Sequence, residues 1–165
     1  MEITVEITSK DFTNFNKYYY LKKAFKPRLI IYLIMIIVLP IIMNLGEPFD
    51  LITFVISILF TAIIFGLIYF GFGYLSLNLV GKLPSSNGAI LGKRKFIISD
   101  GGFIEESDSN TNIQKWNSIK SIELNDEYVF VFIDKIAAYI IPKRYFTDKA
   151  HENSFVENMK ARISQ

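Results

Sequence analysis

Residues 29–46 read LIIYLIMIIVLPIIMNLG, and residues 51–80 read LITFVISILFTAIIFGLIYFGFGYLSLNLV. The first run holds 18 residues and the second 30, with no Asp, Glu, Lys, Arg or His in either. A helix needs about 20 apolar residues to cross a bilayer core, so each run is long enough to span. Only Glu47, Pro48, Phe49 and Asp50 separate them. A link that short makes a helical hairpin whose two ends lie on one side of the membrane. The expected fold class is a membrane α-helical hairpin plus a small α+β cytoplasmic domain. Four segments follow: a strand and amphipathic interfacial helix (1–28), the hairpin (29–80), a linker (81–88) and the cytoplasmic domain (89–165).

Charge sets the expected orientation. Residues 1–28 carry six bases (Lys10, Lys17, Lys22, Lys23, Lys26 and Arg28) and three acids. The hairpin loop carries Glu47 and Asp50 and no base, and beyond the second run come Lys82, Lys93, Arg94 and Lys95. Lys and Arg near span ends mark the cytoplasmic side, so both termini are expected there. Glu2, Glu6 and Asp11 interrupt the first residues, which lack the apolar core of a cleavable leader; the first span is then the insertion signal. Ile outnumbers Ala 27 to 7, which reads as AT-rich codon usage in a bacterium; with the two spans and the charge pattern, the expected location is the bacterial inner membrane. There is no Cys, which excludes disulfides and thiolate metal sites.

Working outward, residues 2–8 (EITVEIT) alternate, with Ile3, Val5 and Ile7 on one face of a half-buried strand. A lone strand is unstable, so it is expected to join the sheet that follows the hairpin. Thr8-Ser9-Lys10-Asp11 resembles a capping box with Asp in place of Glu. A helix to about Phe25 follows, its aromatics and lysines suited to the headgroup layer. Pro27 either breaks this helix from the first span or sits in that span's first turn. Within the spans, Pro40 with Asn44 reads as a kink with a boundary polar residue. Thr53, Ser57, Thr61, Ala62 and Gly66 form a small-residue stripe, for packing on the first span or for homo-oligomerisation.

Beyond the linker the pattern becomes short alternating runs: 95–99, 103–107, 113–115, 121–124, 128–133 and 136–141. Asp100-Gly101 is a hairpin signal. Thr147 or Asp148 caps a final helix with Phe155, Met159 and Ile163 on one face. Together these give a bent antiparallel sheet closed at one end by a helix. The order of elements, Trp116-Asn-Ser-Ile119, Tyr128 and Ile140-Ile-Pro-Lys-Arg-Tyr-Phe146 resemble the YcxB-like proteins of bacteria. That resemblance implies a pleckstrin-homology-like domain with a C-terminal capping helix, and brings no catalytic residue.

No catalytic or metal-binding pattern stands out, and no cofactor is expected. His151 is the only histidine and lacks evident partners. Glu105, Glu106 and Asp108 lack the ligand spacing of a calcium loop and read as a solvated loop. Trp116 reads as a packing residue. Nucleic acid is disfavoured by a near-neutral soluble part, with 12 bases and 11 acids from Lys82 onward. The positive signal is basic: Lys93, Arg94 and Lys95, with Lys143 and Arg144, are candidate binding residues facing anionic lipid. The expected function is a non-enzymatic, membrane-tethered binding module for a protein partner or anionic lipid. The alternatives are an immunity or stress-protection membrane protein acting on a toxin or envelope complex, or a small transporter subunit.

Overall fold

A computed structural model describes residues 1–46, 48–84 and 90–163, apart from the side chain of Asn78. Glu47 of the expected hairpin loop and residues 85–88 of the expected linker lie outside the described residues. Two compact units form. One joins Met1–Phe15 to the chain from Lys82 onward, and the other is Asn16–Gly81.

In the first unit, β1 (Glu2–Ile7) buries Ile3, Val5 and Ile7 and exposes Glu2, Thr4 and Glu6. It runs antiparallel to β2 (Gly92–Ile98), with Ile3 opposite Phe96 and Val5 opposite Arg94. β3 (Phe103–Glu106) and β4 (Thr111–Gln114) complete a four-stranded sheet in the order β1-β2-β3-β4. β5 (Ser121–Leu124), β6 (Tyr128–Phe132) and β7 (Ala138–Pro142) form a three-stranded sheet in that order. So the meander divides into two sheets, and β2 starts at Gly92, three residues before the expected run. β4 starts two residues before the expected run at 113, because backbone pairing with β3 holds Thr111 and Asn112 extended despite their polarity.

The β2–β3 turn depends on Gly102. Its φ is +152°, and a Cβ there would lie 2.5 Å from the Gln114 carbonyl oxygen, so only glycine fits. Every residue of β6 is buried, as suits a central strand covered on both faces. Phe15 packs against Phe130 and Phe132 with centroids 5.4 and 6.1 Å apart. Phe96 stacks on Phe103 at 5.4 Å, and Tyr139 meets both edge-on. The last helix, α5 (Lys149–Ile163) in chain order, buries Phe155, Val156 and Met159, while Ile163 is half-buried. Asp148 caps it, accepting from the His151 N–H at 2.7 Å.

The hairpin unit is helical. The chain enters it through α1 (Ser9–Tyr19), a π-turn (Tyr20–Ala24) and α2 (Phe25–Met43). Pro27 does not break the helix. It sits in the first turn of α2, right after the π-turn, where a missing N–H is best tolerated. The return runs through α3 (Leu51–Gly66), a second π-turn (Leu67–Gly71) and α4 (Phe72–Val80). Asp50 caps α3, accepting from the Thr53 N–H at 2.8 Å. Two helical stretches, Ser9–Met43 and Leu51–Leu77, are long and apolar enough to cross a membrane, and only 6% and 11% of their apolar windows are buried.

The small-residue stripe faces α2. Ser57 and Thr61 are buried, and the Tyr32 hydroxyl donates to the Ala62 carbonyl at 2.9 Å. Gly66 leaves room for the same hydroxyl, 3.2 Å from where its Cβ would be. Asn44 donates to the Pro40 carbonyl at 2.8 Å and to Ser57 Oγ at 3.2 Å, closing the far end. Thr53 stays exposed and bonds Asp50.

Candidate functional site

The five candidate basic residues fall in two places. Lys93, Arg94 and Lys95 lie on β2, while Lys143 and Arg144 begin the 3-10 turn after β7. Strand alternation separates the first three. Lys93 and Lys95 point outward, and Arg94 turns inward. Arg94 is 7% exposed and pairs with Glu105 at 3.2 Å across the sheet. It also donates to the Lys93 and Leu91 carbonyls. Glu105 therefore belongs to β3 and its buried face, not to a solvated loop. Burial pushes its carboxyl up, and Arg94 only partly offsets this. Outside, Lys95 pairs with Glu2 at 2.8 Å, which raises its pKa.

Lys143 and Arg144 are adjacent yet serve different partners. Lys143 bonds Glu152 of α5 at 2.8 Å, and Lys149 bonds the same oxygen at 2.7 Å. Glu152 is buried. Burial opposes its charge, but the two lysines outweigh it and lower its pKa.

Arg144 reaches Asp11 of α1 with two nitrogens, at 2.7 and 2.8 Å. Asp11 is fully buried. It also accepts from the Thr8 N–H at 2.8 Å, the Thr8 hydroxyl at 2.7 Å and the Tyr128 hydroxyl at 2.9 Å. Asn14 donates to that hydroxyl at 2.9 Å. Burial works against the Asp11 charge, yet the bonds from Arg144, Thr8 and Tyr128 hold its pKa at about 2. The capping-box aspartate is thus also the point where β1, α1, β6 and the Ile-Pro-Lys-Arg turn meet.

The remaining polar features are structural as well. Trp116 donates its ring N–H to the Ser99 carbonyl at 3.1 Å, with Arg162 over the ring at 5.8 Å. Arg162 bonds Asp100 at 2.9 Å, tying α5 to the β2–β3 turn. His151 rests edge-on against Phe146 at 5.4 Å. Among the described residues, no group of three His, Cys, Asp or Glu is placed to hold a metal ion. A groove of about 310 Å³ opens between the sheets, lined by Ile7, Phe12, Phe96, Tyr139, Ile140 and the carboxylate of Glu105.

Residues 98–159 match the family model described as YcxB-like protein. Over that stretch the chain is similar to YcxB-like proteins. This is the family whose resemblance is carried by Trp116, Tyr128 and the Ile-Pro-Lys-Arg turn. The matched stretch contains Lys143, Arg144 and Glu152, and leaves out Asp11, β1 and the hairpin. No curated protein and no solved structure matches the chain.

Sequence reasoning missed Asp11 and Glu152 as hubs. Asp11 was legible as a local cap, but its bond to Arg144 spans 133 positions. Glu152 shares a helix face with Phe155, Val156 and Met159 at i+3, i+4 and i+7, the spacing that could have marked it as buried.

Proposed function

We propose that this protein is a non-enzymatic, membrane-tethered binding module. The carrying observation is the opposite burial of its two units. The hairpin leaves Ile34, Ile37, Ile56 and Ile63 exposed at 52%, 62%, 59% and 61%, while the sheet domain puts Phe96, Phe103, Phe130 and Phe155 at 1% or less. A water-soluble chain does not expose such a contiguous apolar surface. Lipid around α2 and α3 removes that cost. The sheet domain then sits at the inner leaflet of a bacterial membrane, with both termini cytoplasmic. Four plus three antiparallel strands and a C-terminal helix support a pleckstrin-homology-like reading of the domain.

Of the two ligands considered, the geometry of the domain favours a protein. Arg94, Lys95, Lys143 and Arg144 each have a carboxylate partner. Such pairs weaken attraction to anionic lipid. Edge strand β4, in contrast, exposes Thr111, Asn112 and Ile113 and carries no charge. Strand addition at such an edge is a common mode of peptide recognition.

The test combines topology with site-specific cross-linking in cells. A reporter fused after the last residue should read cytoplasm, and a tag at Phe49 should read outside. A photoreactive residue at Ile113 should give one discrete adduct, abolished by Asn112→Pro and absent when the probe is at Lys93. An external C-terminus would sink the inner-leaflet reading. Adducts that ignore Asn112→Pro would sink the strand-edge reading.

A further inference from the structure

The hairpin carries a cation that the sheet domain's pattern does not explain. From Phe12 to Gly46 the sequence holds Lys17, Lys22, Lys23, Lys26 and Arg28 and no Asp or Glu. Arg28 is exposed and makes no ion pair among the described residues. Its guanidinium lies over the Tyr20 ring, 4.9 Å from the centroid. Tyr20 in turn closes onto α4 where Gly73 has no side chain, since a Cβ there would come 2.9 Å from the Tyr20 hydroxyl. Gly73, Tyr20 and Arg28 form a stack that fixes where the guanidinium sits.

That stack borders a groove of about 410 Å³ within the hairpin unit, lined by Arg28, Ile68, Tyr69, Phe72, Gly73 and Ser76. Arg28 is its only charged residue among the described residues. Its walls are otherwise apolar or aromatic, with the hydroxyls of Tyr69 and Ser76 as neutral polar groups. The Ser76 hydroxyl donates to the Gly73 carbonyl at 2.9 Å, which leaves its oxygen able to accept.

Depth identifies the occupant. Arg28 directly precedes the 18 uncharged residues 29–46. At about 1.5 Å per residue they cover ~27 Å, close to the ~30 Å hydrocarbon core. Counting the same number of residues from Leu51 reaches Ile68 on the returning helix. Arg28 and Ile68 therefore reach the same boundary between hydrocarbon and water, and Phe72, Gly73 and Ser76 continue on its water side. A ligand there meets a cation at its polar end and apolar side chains at its other end.

We infer that this groove is a binding site for one anionic phospholipid, its phosphate on Arg28 and its acyl chains running past Ile68 toward the hydrocarbon core. The assignment rests on the membrane reading above. A guanidinium offers paired N–H donors to a phosphate, which an ammonium does not. The juxtamembrane lysines supply the attraction, and Arg28 supplies the seat.

The experiment uses the full chain. Carbonate extraction of membranes first separates the two readings: a chain released by carbonate is not embedded, which overturns both. For an embedded chain, native mass spectrometry from nanodiscs of mixed phosphatidylglycerol and phosphatidylcholine should retain one phosphatidylglycerol per chain. Titration in micelles should show at least tenfold weaker phosphatidylglycerol binding for Arg28→Gln, an intermediate loss for Arg28→Lys, and less than twofold for Lys26→Gln. Far-UV circular dichroism of Arg28→Gln should match the parent chain, which separates loss of the seat from loss of fold. Equal losses for Lys26→Gln and Arg28→Gln would mean a diffuse basic flank and overturn the site. So would equal retention of phosphatidylcholine. Displacement of the lipid by millimolar inorganic phosphate would mark a small-anion site and overturn the lipid assignment.

Discussion

The sheet domain and the hairpin treat charge in opposite ways. The domain takes two acids inside, Asp11 and Glu152, and closes each with bases from the Ile-Pro-Lys-Arg turn. The hairpin has no acid between Phe12 and Gly46, and its flanking bases gather at one end. A basic pair in the sequence therefore has two meanings. Lys143-Arg144 is a clamp between α5 and α1. Arg28, in the lipid site proposed above, would instead take its anion from outside the chain.

The strongest way to break this contrast is to remove β1. Ile3, Val5 and Ile7 are each at most 5% exposed. Burying such a side chain contributes about 1.5–3 kcal/mol. Deleting residues 2–7 should therefore cost the sheet domain several kcal/mol, enough to unfold most of it. Trp116 is the only tryptophan, so its fluorescence in the full chain reports on the domain alone. The emission should shift to that of a solvated indole while far-UV helicity from the hairpin persists. An unshifted Trp116 would mean that the four-stranded sheet does not need its N-terminal edge.

A single atom group should come next. Asp11→Ala leaves Arg144 without its carboxylate and strips acceptors from Thr8 and Tyr128. Breaking a buried pair by deleting one partner costs about 3–5 kcal/mol, and the half-exposed Arg144 places this case at the lower end. Denaturant unfolding followed by Trp116 should show it. A cost below that of an ordinary surface change would reduce the Asp11 cluster to a helix cap.

These two variants mark what the sequence made legible. Alternation in residues 2–7 announced a strand and its buried face, because period-2 patterning survives in any context. The hairpin announced itself by length and apolarity. Trp116 and the Ile-Pro-Lys-Arg turn carried the family resemblance. What stayed hidden was pairing over long separations. Nothing local says that Asp11 meets Arg144, and Arg94 escaped because the expected run began at 95, although alternation puts it on the face of Phe96 and Ile98. Basic residues read as free because their acids lie 9 to 133 positions away. Arg28 read as one flanking charge among six, since the groove beside it needs the returning helix.

The smallest effect is also the one that tests charge directly. The Asp11 carboxyl moves from an ordinary 3.8 to about 2 in the folded chain. A depressed acid stabilises the fold above its unfolded pKa and loses that contribution as pH falls through the folded pKa. One pKa unit is about 1.4 kcal/mol, so the Asp11 charge contributes about 2 kcal/mol at neutral pH. The window of loss runs from about pH 4 down to about pH 2. Glu152, also depressed, acts in the same direction, and Glu105, raised by burial, acts against it. Their sum blurs the raw curve, so the informative quantity is the difference between the parent chain and Asp11→Asn, which keeps the shape and removes the charge. At pH 6 the parent should be the more stable, by about 2 kcal/mol. The gap should narrow below pH 4 and close near pH 2. If it stays constant across that range, shape and not charge holds α1 to the Ile-Pro-Lys-Arg turn. Arg144 would then owe nothing to the Asp11 charge, and the contrast between the two units would rest on Lys143 and Glu152 alone.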